Sequence, residues 1–161
     1  MAVAIYQGTF DPITNGHVDV VVRAAGMFDR LVIGVFDTPS KSLLFSTEER
    51  LTLVQQSTQH LPNVEARAFV GLTVEFAREV GAIAMIRGLR STSDFDNEFA
   101  MNMMNRKLSP EIDTLFLMPA EEYSFVSSSL IKEVAQYGGN VGDLVPECVA
   151  AALREKIRVS V

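Results

Sequence analysis

The chain has 161 residues, room for one domain with its own core and little more, so residues 1–161 are expected to form a single unit. Hydrophobic residues make up 48% of it, which excludes a disordered segment. The formal net charge of -6 argues against nucleic acid as a partner, because displacing counterions needs a basic surface, but a local cluster of Arg and Lys can still hold a small anion.

Residues 3–6 (Val-Ala-Ile-Tyr) read as a buried strand, with neither the basic start nor the cleavage region of a signal peptide. Val18, Val21, Val22 and Ala25 then repeat at helical spacing, and residues 31–36 form a second strand. Ser46 with Glu49 three residues on is a capping-box signature that opens a helix to about residue 59. Residues 64–69 read as a third strand, 73–80 as a short helix and 82–86 as a fourth strand. Residues 91–107 read as a helix with Phe95, Phe99 and Met103 at four-residue steps, followed by a fifth strand at 113–118. Helices at 127–137 and 146–157 complete the pattern, and the single cysteine, Cys148, reads as a buried inert thiol in the last of them. No apolar run approaches the ~18 residues of a membrane span, so no membrane partner and a cytoplasmic location are expected.

Apolar strands alternating with amphipathic helices predict an α/β fold: a doubly wound, five-stranded parallel sheet with helices on both faces. In such sheets ligands bind beyond the carboxyl ends of the strands, so functional residues are sought just after strands.

The first such loop is Gly8-Thr9-Phe10-Asp11-Pro12-Ile13-Thr14-Asn15-Gly16-His17. Gly8 permits a backbone conformation that other residues resist, and close approach of a ligand. Asn15-Gly16 leads into a helix and places His17 in its first turn, where it can donate a hydrogen bond to an anion held by the free N–H groups. The plainer alternative is a polar helix cap with a half-exposed histidine. The segment is neither a P-loop nor a Gly-x-Gly-x-x-Gly fingerprint. The loop after the fifth strand contains Tyr123-Ser124-Phe125-Val126-Ser127-Ser128-Ser129-Leu130-Ile131-Lys132. Ser127 reads as an N-cap, and Ser128 and Ser129 would add hydroxyls to a second phosphate cradle; ordinary capping is the alternative. Pro39-Ser40-Lys41 follows the second strand and Ile86-Arg87-Gly88-Leu89-Arg90 the fourth, which puts three cations at the ligand end of the sheet.

Thr14-x-Gly16-His17, with Gly8–Pro12 ahead of it, resembles the signature of the nucleotidyltransferase superfamily related to class I aminoacyl-tRNA synthetases. The run from Val126 to Lys132 resembles that superfamily's Ile-Ser-Ser-Thr-x-x-Arg signature. The Ser-Ser-Ser run and lysine are similar to the phosphopantetheine adenylyltransferase branch, and the likeness covers nearly the whole chain, including Gly142, Pro146 and Glu147. Gln7 departs from that branch, which usually has proline there; it is expected to loosen the turn without touching chemistry. Tyr123 replaces a common tryptophan, and Lys132 in place of arginine weakens a phosphate-gripping role there, with a solvated face as the alternative.

The resemblance implies a Rossmann-like nucleotidyltransferase fold and transfer of AMP from ATP to 4′-phosphopantetheine. It implies that His17 stabilises the transition state at the α-phosphate, that Thr9 and Lys41 hold the attacking phosphate, and that Arg87 binds the phosphate of pantetheine. It assigns ATP to Thr9, Phe10, His17, Gly88, Leu89, Arg90, Glu98, Tyr123, Ser124, Phe125, Val126, Ser127, Ser128 and Ser129, and the pantetheine arm to Thr73. It further implies Mg²⁺ bound with ATP and a homohexamer, to which Met101, Met103 and Met104 would contribute as core or interface. Asp11, Asp94 and Asp96 do not make an all-protein metal site, and no His/Cys cluster suggests zinc. The alternatives are a related transferase using nicotinamide mononucleotide or glycerol phosphate, and a nucleotide-binding module without catalysis. A tRNA-charging enzyme is excluded, since no basic tRNA-binding domain is present.

Overall fold

The computed structural model describes residues 1–37 and 42–159. Five strands, β1 (Val3–Gly8), β2 (Arg30–Phe36), β3 (Val64–Phe69), β4 (Ala84–Gly88) and β5 (Asp113–Leu117), pair in parallel in the order β3-β2-β1-β4-β5. Six helices join or follow them: α1 (Asn15–Ala25), α2 (Thr47–Thr58), α3 (Thr73–Val80), α4 (Thr92–Leu108), α5 (Ser128–Gln136) and α6 (Glu147–Val159). The chain runs outward from β1 to β3 and then returns to the other side of β1. The strand order therefore reverses between β1 and β4, and the crevice lies beyond their carboxyl ends.

Alternation along the central strands builds two cores. Ala4, Tyr6, Leu31, Ile33, Ala84 and Ile86 face α1, α2, α5 and α6. Val3, Ile5, Val32 and Met85 face α3 through Val74, Phe76, Ala77 and Val80. The predicted doubly wound sheet is thus present. The capping box of α2 forms in both directions: Glu49 N–H donates to Ser46 Oγ at 3.1 Å, and Ser46 N–H to Glu49 Oε2 at 2.8 Å.

Several local expectations change. The fourth strand starts at Ala84, because Gly81 ends α3 in a left-handed turn (φ 74) and residues 82–83 complete the exit. Gln7 and Gly8 belong to β1, paired with Gly34 and Val35, so Gln7 loosens no turn. The left-handed residue of the first loop is Phe10 (φ 50), not Gly8. A Cβ on Gly8 would meet the Phe10 ring at 3.1 Å, so Gly8 is required for close approach. A 3-10 turn, Glu121–Tyr123, precedes α5 and was not predicted. Helix α4 buries none of its residues in this chain. Phe95 and Phe99 lie 5.8 Å apart, and Phe99, Met101, Met103 and Met104 face solvent, so the methionines are not core of this chain.

Candidate active site

Helix α1 begins with a reciprocal cap. Thr14 is the N-cap and its Oγ1 accepts from His17 N–H at 3.4 Å, while Thr14 N–H donates to His17 Nδ1 at 3.0 Å. His17 thus takes the place that Glu or Gln holds in the usual capping box. A backbone N–H can only donate, so Nδ1 contributes its lone pair and the neutral ring carries its proton on Nε2. The imidazole packs edge-on against Phe10, with centroids 5.1 Å apart. Burial, helped by the positive charges of Arg90 and Arg87, lowers its pKa from 6.5 to about 4. At neutral pH His17 is a neutral donor that both caps α1 and lines the crevice.

A titration test follows. Nitrogen-15 NMR of the free protein should show His17 as the neutral Nε2–H tautomer from pH 8 down to about pH 5, with imidazolium only below. The unfolded chain takes up this proton near 6.5, while the folded chain resists it until about 4. This group's contribution to stability is therefore complete above 6.5 and declines as pH falls toward 4. A His17 midpoint near 6.5 would contradict the arrangement.

The two arginines after β4 are each held by a carboxylate from α4. Arg87 Nε donates to Glu98 Oε2 at 2.8 Å, and its Nη1 donates to the Gln7 carbonyl at 2.9 Å. Burial lowers the guanidinium pKa, but the hydrogen bond and charge of Glu98 outweigh it. Arg90 Nε donates to Asp94 Oδ2 at 3.0 Å and its Nη1 to the Val126 carbonyl at 2.8 Å. Glu98 is therefore not a solvated carboxylate.

Two further cations are engaged by groups of the chain itself. Lys132 Nζ lies 2.7 Å from Oδ2 of the buried Asp11, so it does not lie on a solvated face. The same carboxylate accepts from Leu44 N–H at 3.0 Å and Phe45 N–H at 2.9 Å, which ties the chain ahead of α2 to the first loop. Arg50, fully buried, donates to the Thr9 carbonyl at 2.6 Å and the Phe36 carbonyl at 2.9 Å. Lys41, with Pro39 and Ser40, lies outside the described residues.

Two cavities open at this end of the sheet. One, of about 300 Å³, is lined by Thr9, Phe10, His17, Gly88, Arg90, Val126, Ser127 and Ser128. The other, of about 450 Å³, lies toward α3 and α4 and is lined by Phe36, Phe69, Leu72, Thr73 and Met101 among others. Gln7, Gly8, Thr9, Arg87 and Glu98 line both and form the wall where they meet. Leu89, Tyr123, Ser124, Phe125 and Ser129 line neither. In the serine run, Ser127 Oγ caps Leu130 N–H at 3.1 Å and the Ser128 hydroxyl donates to the Pro12 carbonyl at 2.8 Å. An anion at the start of α5 would thus meet the Ser128 N–H group before the Ser128 hydroxyl proton.

Tyr6, Thr14 and Asp94 also line the first cavity, whereas the sequence assigned Tyr6 only to the first strand, Thr14 only to the signature and Asp94 only to a rejected metal site. Burial pushes the Tyr6 phenol up, so it stays neutral. The Thr14–His17 spacing matches a capping box and could have been read as one; Arg90 and Asp94 are an (i, i+4) pair. Among the described residues, no three His, Cys, Asp or Glu side chains are grouped to hold a metal ion.

Over residues 5–134 the chain matches the Cytidylyltransferase-like family. It is 55% identical over 161 residues to the phosphopantetheine adenylyltransferase of Thermomicrobium roseum, covering 98% of this chain and 96% of the relative. The phosphopantetheine adenylyltransferase of Desulforudis audaxviator is 54% identical, over 97% of this chain and 96% of the relative. A solved Vibrio parahaemolyticus structure, assigned as a nicotinate-nucleotide adenylyltransferase, superposes with a TM-score of 0.72 at 19% identity, covering 98% of this chain and 95% of that one, and shares the fold.

Proposed function

This chain belongs to the phosphopantetheine adenylyltransferase family, and on that premise we propose that it transfers AMP from ATP to 4′-phosphopantetheine, releasing pyrophosphate and forming dephospho-coenzyme A. The observation that carries the reading is the tautomer of His17. With Nδ1 engaged by Thr14 and the proton on Nε2, the ring can donate but cannot accept. It suits a reaction that needs no general base, because the attacking phosphate oxygen is already ionised. Catalysis then rests on in-line positioning and charge stabilisation.

In this proposal ATP occupies the first cavity, with its α-phosphate at His17 and its outer phosphates at Arg90 and the N–H groups of Ser128 and Ser129. Arg87, on the shared wall, grips the acceptor phosphate, and Thr9 and Lys41 hold it for attack. The acceptor arm extends into the second cavity past Thr73. Phe10, Gly88, Leu89, Glu98 and the segment 123–129 keep the ATP roles that resemblance assigns them. Asp94 and Glu98, the carboxylates at the cavity walls, are engaged by arginines. The residues therefore fit Mg²⁺ arriving on ATP, where it would neutralise phosphate charge while retaining waters. The apolar residues left exposed on α4 and the family resemblance together support a homohexamer; a cytoplasmic location completes the proposal.

The experiment is pyrophosphate release from ATP with three acceptors: 4′-phosphopantetheine, nicotinamide mononucleotide and glycerol phosphate. Pyrophosphate should appear with the first, together with dephospho-coenzyme A by mass. Activity confined to nicotinamide mononucleotide would overturn the acceptor while leaving the fold assignment intact.

A further inference from the structure

Tyr6 stands on the central strand and is only 4% exposed, yet it lines the first cavity together with His17, Arg87, Gly88 and Arg90. Its hydroxyl makes no hydrogen bond with the described residues. It is nonetheless open to the cavity. Among the described residues, the side-chain polar atoms both sealed from solvent and unpaired are Gln7 Oε1, Arg50 Nε, Ser109 Oγ and Thr114 Oγ1, and Tyr6 Oη is not one of them. A buried phenol usually finds a partner, so one that is unpaired but reachable points to a partner supplied by whatever fills the cavity.

The neighbours of Tyr6 hold its ring and leave its proton unspent. The residue follows Ala4 on the face of β1 that looks toward α1. Phe10 packs edge-on against the ring at 5.5 Å between centroids, and the His17 ring lies 6.4 Å away. A Cβ built on Gly88 would lie 3.6 Å from the hydroxyl, which places that hydroxyl over the end of β4. Burial keeps the phenol protonated despite the charges of Arg87 and Arg90, so the oxygen has a proton to give. Both arginines are engaged elsewhere, with Glu98 and the Gln7 carbonyl and with Asp94 and the Val126 carbonyl. In the same cavity the Ser128 hydroxyl gives its proton to the Pro12 carbonyl, whereas the Tyr6 proton has no acceptor among the described residues.

We propose that Tyr6 is a further substrate-contacting residue of this site, whose O–H donates to an oxygen of the nucleotide phosphate that faces His17. The inference rests on the placement of ATP proposed above and adds to it a donor that lies outside both sequence signatures. The surroundings favour phosphate over other acceptors, because an imidazole N–H and two guanidiniums line the same cavity, and such a set holds an oxyanion. A phosphate offers several oxygens, so the N–H of His17 and the O–H of Tyr6 can each take one.

Tyr6→Phe deletes the hydroxyl and keeps the ring. Titration calorimetry on wild type and variant would use ATP, 2′,3′-dideoxy-ATP and 4′-phosphopantetheine as probes. The variant should bind ATP about 10- to 100-fold more weakly, the scale of a hydrogen bond to a charged group, and should lose as much with the dideoxy nucleotide. Phosphopantetheine should stay within about twofold. The free variant should unfold at the wild-type temperature, because the hydroxyl has no bond to lose. Unchanged ATP affinity would overturn the assignment. A loss with ATP but not with the dideoxy nucleotide would also overturn it, by giving the hydroxyl a ribose partner. So would a lowered unfolding temperature with both substrates weakened together, which marks a packing role. The ATP titration needs no acceptor: if the wild type binds ATP but forms no dephospho-coenzyme A, the proposed reaction falls and the nucleotide titrations still decide the role of Tyr6. If the wild type binds no ATP, both fall.

Discussion

Replacing His17 with alanine should lower turnover by about 100–1000-fold, the scale set by single preorganised donors, while changing ATP affinity much less. The α-phosphorus becomes most crowded and most charged in the transition state, so an Nε2–H donor aimed there is worth more to the transition state than to bound ATP. The structure adds a second consequence. Nδ1 also satisfies Thr14 N–H at the start of α1, so alanine should cost roughly 1 kcal/mol of stability by removing half of a reciprocal cap. His17→Gln separates the two roles, because a glutamine oxygen can accept from Thr14 N–H as in the usual capping box. It should restore the unfolding temperature and leave turnover low. Steady-state kinetics and thermal unfolding on the same preparations decide the matter. Near-wild-type turnover in either folded variant would remove His17 from the chemistry.

Arg87→Ala should weaken 4′-phosphopantetheine binding by roughly 1.5–3 kcal/mol, the scale of a hydrogen bond to a charged group, with a smaller change for ATP. Its guanidinium stands on the wall common to both cavities and already holds a carboxylate, Glu98, so it is shaped for an oxyanion pair. Alanine also leaves Glu98 without its partner, which lowers stability for reasons unrelated to the ligand. The double variant Arg87→Ala, Glu98→Gln removes that charge. It should recover stability but not acceptor affinity. Calorimetric titration of each ligand gives the result, and full phosphopantetheine affinity in the single variant would reject the role.

What could be read from the sequence was mostly local. The α2 capping box depends on residues three apart, and β3 and α3 lie where their apolar periods place them. The doubly wound sheet followed from strands too apolar to have a solvated face. Contacts between distant segments were harder to see. Lys132 is paired with Asp11, 121 positions away, and nothing near Lys132 in the chain signals that partner. The Phe95, Phe99, Met103 spacing marks one apolar side of α4, but periodicity does not say what covers it, and among the described residues it stays exposed apart from the Phe95 ring against Phe116. Gln7 was read as a bystander because its neighbours suggested a turn. The sheet register instead places it within β1, opposite Gly34.

Arg50 gives the crevice unequal sides. By donating to the carbonyls of Thr9 and Phe36, one buried guanidinium fastens the exits of β1 and β2 to each other through main-chain atoms. Separating those two exits would break a hydrogen bond of a buried guanidinium. Across the crevice, Arg87 and Arg90 each combine one bond to a main-chain carbonyl, of Gln7 and of Val126, with an ion pair to a carboxylate of α4. One side of the crevice is thus riveted through carbonyls alone, and the other through carbonyls and exchangeable carboxylates together. The carboxylates of Glu98 and Asp94 are the partners an incoming anion would displace, while the carbonyl bonds need not break.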